Sequence, residues 1–162
     1  MRVRTGSSWP PGRVDAVVTV TVVVLGVVDS WIKPSSGLLT GLPLWIIATV
    51  SGAVGGTLWW RRRHPEAVAG VVIVGHVVAF TPVALAVAMY TVGARCRRLS
   101  VLAGFGVAGF VAGVVGLRGG LPNAGVREAG YAIALILGPL AVGYAVASRS
   151  TPPSRPGPAG SC

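Results

Sequence analysis

Acidic side chains are nearly missing from this sequence: 162 residues hold four Asp and Glu against fourteen Lys and Arg. Charged residues of both signs total 11%, where a soluble globular domain carries about 25%. Too few polar side chains remain to coat a core in water, which excludes a soluble globule. Cysteine is scarce as well. Cys96 and Cys162 are the only two, so neither a disulfide framework nor a Cys/His metal-ligand spacing can be written. Cys96 sits in a basic stretch expected in the cytoplasm, where disulfides are rare. The sequence contains no P-loop, no G-x-S-x-G, no H-E-x-x-H and no paired-carboxylate arrangement. No catalytic, metal or cofactor-binding residue is therefore assigned, and the chain is expected not to be an enzyme.

What fills the space instead is hydrocarbon. Apolar residues make up 52% of the chain and the mean hydropathy is +0.73. Long uncharged runs alternate with short basic knots, the pattern of a chain solvated by lipid. The formal net charge of +10 does not point to nucleic acid. A nucleic-acid domain spreads Lys and Arg over a soluble face, whereas here they gather as Arg61-Arg62-Arg63 and as Arg95, Arg97 and Arg98 beside apolar runs. Such knots mark the cytoplasmic ends of transmembrane helices. The expected partner is the lipid bilayer.

Residues 1–13 are basic and polar and are expected in the cytoplasm; 14–148 form the membrane bundle. The first apolar run is 14–32, with no small-residue cleavage site after it, so it reads as an uncleaved span and not a signal peptide. Its Val and Thr would suit a strand in water, but a lone segment in lipid must bond its own backbone and becomes a helix. After a turn at 33–37, residues 38–60 form a second span. It closes on Trp59-Trp60 and the triple arginine, aromatic and basic anchors of a cytoplasmic interface.

The stretch 67–94 admits two readings. It would reach about 42 Å as one straight helix, too long for one span and too short for two ordinary ones. Phe80-Thr81-Pro82 sits at its centre, and proline breaks or kinks a helix. One long kinked span gives five crossings; a tight hairpin turning at Thr81-Pro82 gives six and keeps both basic knots on one side. Residues 99–117 and 129–148 are further spans, separated by a Gly-rich turn at 118–128, the last kinked near Gly138-Pro139. The tail 149–162 is Pro-rich, has little to bury and is expected to be disordered. The fold class is thus an all-α integral membrane bundle of five or six short helices.

Two segments resemble the N-terminal membrane region of bacterial two-component sensor histidine kinases. One is Trp59-Trp60-Arg61-Arg62-Arg63-His64-Pro65, the other runs from Pro82 through Tyr90-Thr91-Val92-Gly93 to Arg95. The similarity covers roughly 14–148. It implies a multi-pass protein of the bacterial inner membrane with a cytoplasmic N-terminus and a sensor or input role in signal transduction. In that family the membrane region leads into a phosphoacceptor helix and an ATP-binding domain. This sequence ends on the Pro-rich tail, so a sensor-like region without kinase activity is implied. Readings from other classes are a small transporter or channel-like protein and a structural membrane protein.

Among single residues, His76 lies inside an apolar run, where an ionisable side chain is costly and by default a functional candidate; the bland alternative is a packed neutral His. His64 reads as an interfacial cation. Asp15 is expected to pair with Arg13 or lie among headgroups, and Asp29 to meet Lys33 one turn on. Gly52-x-x-x-Gly56 and Gly109-x-x-x-Gly113 supply small-residue surfaces that let helices approach closely. They serve packing within the chain or a homodimer, and the sequence leaves both open.

Overall fold

The computed structural model describes residues 11–32, 38–39, 41–96, 98–118 and 126–150. All regular structure among them is helical. Six α-helices follow in order: α1 Pro11–Ile32, α2 Leu44–Gly56, α3 Pro65–Ala79, α4 Pro82–Arg95, α5 Leu99–Arg118 and α6 Val126–Ser150, with a 3-10 turn Thr57–Trp60 extending α2. Three stretches are long and apolar enough to cross a membrane: Gly12–Trp31, Leu99–Gly116 and Gly130–Arg149. The helices of the 44–60 and 65–95 stretches are shorter.

Several boundaries differ from the sequence reading. α1 begins at Pro11 and not 14, with Pro near the first helical turn where its missing N–H costs nothing. The second helix begins at Leu44 and not 38. Pro43 stands at its N-cap, Gly41 has φ +93, and Leu38 and Leu39 are drawn off to another helix. Their N–H groups donate to the carbonyls of Val77 and Val78 at 3.2 and 3.1 Å. α6 runs through Gly138 and Pro139 without a break and on to Ser150, past the expected end at 148. The expected disordered tail from 151 and the basic segment up to residue 10 lie outside the described residues, as do Arg97 and Lys33.

The 67–94 stretch is a helical hairpin. Pro82 pushes the residue before it out of the helical region, and Thr81 sits at φ −110, ψ 73. Phe80 ends α3 in the left-handed region, φ 44, a position glycine usually takes. α4 then doubles back, so that Arg95 Nη1 donates to the Arg62 carbonyl at 3.1 Å. The arginine at the end of α4 therefore meets the turn that precedes α3.

The remaining contacts show that the chain reverses direction at every turn. Ser30 of α1 meets Ser51 of α2, and a Cβ on Gly75 of α3 would strike Val54 of α2. Gly106 and Gly113 of α5 face Leu140 and Ala132 of α6, in antiparallel order. α4 and α6 run parallel and pack hardest: a Cβ on Gly93 would collide with the Leu140 carbonyl, and one on Gly143 with the Tyr90 carbonyl. The bundle thus has a basic end (start of α1, 57–64, the end of α4, the end of α6) and a far end (41–43, 80–82, the end of α5).

Its core is aliphatic, centred on Leu58, Val72, Leu85, Met89, Val92 and Ile136. The outside is no more polar. α1 buries Asp15, Thr19 and Ser30 and exposes Val17, Val20, Val24 and Val28. α6 exposes Ile133, Leu137, Val142 and Val146. Polar atoms inside and valines outside is an arrangement that water would not tolerate and lipid favours.

Candidate functional site

At the far end, the α3–α4 turn gathers the buried polar groups. His76 is 1% exposed and Thr81 2%. The imidazole lies against Phe80, ring centroids 4.9 Å apart and tilted by 40°. Gly116 of α5 lies so close that a Cβ there would stand 3.2 Å from His76 Cδ2, and the Thr81 backbone lies alongside the ring. Ser30 Oγ donates to the Gly26 carbonyl at 2.8 Å and lies 3.1 Å from Ser51 Oγ. Ser51 Oγ in turn lies 3.5 Å from the Ala79 carbonyl. α2 and α5 therefore touch the end of α3, and α1 stands behind α2 through Ser30.

The cluster is not fully satisfied. His76 Nδ1 and Thr81 Oγ1 are buried and have no hydrogen-bond partner among the described residues. An unmade bond of this kind costs about 1–3 kcal/mol. A non-glycine residue held at positive φ, as Phe80 is, adds strain of the order of 1–3 kcal/mol. Non-helical backbone at membrane depth is tolerated only where protein covers it, and Phe80, Thr81 and Pro82 are all buried. The N–H groups of Leu38 and Leu39 cover the last α3 carbonyls that a helix end leaves open. His76 and the break at Phe80-Thr81-Pro82 were legible in the sequence; Ser30 and Ser51 carry no motif and reach the cluster only by folding.

The basic end is built differently. Asp15 pairs with neither Arg13 nor solvent. Its Oδ1 accepts from Arg61 Nη2 at 2.9 Å, and its Oδ2 from Arg62 Nε. The expectation of a local partner fails because α1 and α2 are antiparallel, which carries Arg61 to the first turn of α1. Arg63, His64 and Arg98 are exposed. Trp59 and Trp60 are half exposed beside them, and Trp31 and Trp45 project from the far end. Aromatic belts therefore stand at both ends, as at two bilayer interfaces. Cys96 is buried and is not a free thiol, contrary to the expectation of a reduced cytoplasmic cysteine.

The glycines divide. A Cβ on Gly109 would lie 3.0 Å from Met89 and one on Gly113 2.9 Å from Ile136, so both sit in the tight α4–α5–α6 contact. Gly52 has ordinary contact distances to Val23 and Val27, and Gly56 has no neighbour within 4 Å. The close approach of α2 to α1 falls on Gly55, where a Cβ would stand 3.1 Å from Val23. Gly75, Gly93 and Gly143 lie at the tightest crossings and stood outside the motifs. Each is a single small residue whose role depends on its partner helix.

No group of three or more His, Cys, Asp and Glu that could hold a metal occurs among the described residues. No protein family, curated protein or solved structure matches this chain.

Proposed function

We propose that the chain is a membrane-embedded input region of a bacterial signalling protein, resident in the inner membrane. The N-terminal side and the end of α6 face the cytoplasm. Six helices make up the embedded part, with α3 and α4 forming a hairpin that enters and leaves by the cytoplasmic face. The observation that carries this reading is the α3–α4 turn: strained at Phe80, under-bonded at His76 and Thr81, and packed against α2 and α5, with α1 behind α2. Strain and unmade bonds of a few kcal/mol in all are of the size that separates two populated conformations. α4 leads from this turn into a backbone-close contact with α6 through Gly93 and Gly143. A change at the turn would therefore move α6, the helix that leads toward whatever follows. A transporter is less well supported, since the packed core cluster between the helices is aliphatic.

A chimera tests this. Residues 1–150 joined in helical phase to a cytoplasmic histidine-kinase core should give autophosphorylation in inner-membrane vesicles. Phe80→Gly, which relieves the left-handed strain, should change that rate several-fold at unchanged protein level. Equal rates for the parent, Phe80→Gly and His76→Leu would refute an input role.

A further inference from the structure

At the basic end, a cleft of about 290 Å³ opens between the 57–64 turn and the last turn of α4, lined by Arg61, Arg62, Tyr90, Thr91, Ala94 and Arg95. We propose that this cleft binds a phosphate group at the cytoplasmic membrane interface. The proposal deepens the reading above by giving the input region a ligand class, and it requires only that the chain folds as this bundle.

Charge imbalance comes first. Three arginines line the cleft; Asp15 pairs with Arg61 and Arg62 and not with Arg95, which among the described residues leaves a formal excess of two positive charges. Each guanidinium carries five N–H donors. The bonds described here use one donor on Arg61, toward Asp15 Oδ1, one on Arg62, toward Asp15 Oδ2, and one on Arg95, toward the Arg62 carbonyl.

Enclosure and preorganisation come second. The side chains of Arg61 and Asp15 are only 11% and 13% exposed, which anchors the floor of the cleft, while Arg62 and Arg95 are exposed at its mouth and can meet an incoming anion. Asp15 fixes Arg61 and Arg62, and Arg95 is held against the backbone between them. The fork of an anion site is thus built before the ligand arrives, which lowers the ordering cost of binding. Arginine presents paired donors at the spacing of phosphate oxygens, and the Tyr90 phenol adds a further donor on the cleft wall.

Depth comes third. Trp59 and Trp60 are half exposed beside the cleft, and tryptophan settles at headgroup level. The cleft therefore opens where lipid phosphates lie and where a soluble phosphate compound can also reach. The shared chemistry is the phosphate oxyanion, and the two sources separate by experiment.

The full chain in zwitterionic detergent would be titrated with dioctanoyl phosphatidylglycerol in one arm and with glycerol 3-phosphate in the other, and binding followed by intrinsic Trp fluorescence and thermal midpoint. Saturable binding of the short-chain lipid alone identifies a headgroup site; comparable binding of glycerol 3-phosphate identifies a soluble ligand; both support the proposal. Arg95→Gln removes one fork without touching the Asp15 pairs and should weaken binding about tenfold. Arg95→Lys should weaken it by less, and Arg149→Gln, at the same end but outside the lining, should leave it unchanged. No saturable binding in either arm would overturn the proposal. So would equal losses for Arg95→Gln and Arg149→Gln, since these mean general attraction to a basic surface. Should Arg95→Gln fail to fold by circular dichroism, the Arg95→Lys and Arg149→Gln pair decides the same question.

Discussion

His76 separates packing from function at a single residue. Its Nδ1 is buried with no hydrogen bond of good geometry, and the contact with the Thr81 backbone offsets only part of the cost of burying the ring. Replacing such a group by an apolar side chain of similar volume removes that cost. His76→Leu should therefore leave the thermal midpoint in detergent unchanged or raise it, by an amount equivalent to about 1–2 kcal/mol. His76→Lys places an obligate charge among Phe80, Gly116 and the aliphatic core, and should lower the midpoint strongly. A marked loss with His76→Leu would show that the imidazole makes a stabilising bond, and the strained-turn argument would lose its main support. The sequence made His76 legible because an ionisable residue stands out in an apolar run. It could not supply the neighbours, because Ser30, Ser51 and Gly116 approach from three other helices. Asp15 shows the same limit. Its partner Arg61 lies 46 positions away, with Arg62 next to it, and pairing by local spacing pointed to Arg13.

The elements were legible to the extent that local chemistry sets them. Pro65 and Pro82 start α3 and α4, and basic knots close the apolar runs. Gly41 and Pro43 are local breakers too, but the apolar run 38–60 masked them, and the chain there caps α3 instead of lengthening α2. Helix pairing was less legible. G-x-x-x-G marks a surface that can approach another helix, but it does not say which helix comes or which glycine it meets, and Gly56 meets nothing. Substitution at the crossings gives a sharp contrast. Gly93→Ala and Gly143→Ala each place a Cβ against backbone carbonyl groups of the partner helix, which cannot rotate away as a side chain can. Each should cost about 1–3 kcal/mol or more, read as a lower thermal midpoint. Gly56→Ala and Gly104→Ala meet open space and should be neutral or stabilising by up to about 1 kcal/mol, through better helix propensity. If all four variants melted together, the parallel α4–α6 contact would be misplaced.

At the scale of the molecule, the question is which ends share a side of the membrane, and helix length bears on it in an unexpected way. α3 and α4 have 15 and 14 residues, about 22 Å each, against a hydrocarbon core of about 30 Å. A hairpin of that depth need not emerge on the far side. Its turn stays under protein cover, and the segment around Gly41 takes the place at the far surface. Arg95 lies against the 61–63 turn, and in the proposed topology the positive-inside tendency puts both on the cytoplasmic side. In a Cys96→Ser, Cys162→Ser background, a membrane-impermeant maleimide should label Gly41→Cys in intact spheroplasts. Arg63→Cys, Arg98→Cys and Ser148→Cys should react only after permeabilisation. Thr81→Cys should stay unlabelled in both, because Thr81 is covered on all sides while Gly41 is open. A single kinked crossing over 67–94 would instead put Arg98 and Arg63 on opposite sides. Labelling of Arg98→Cys from outside would therefore dismantle the hairpin, the shared basic end and the cleft between them at once.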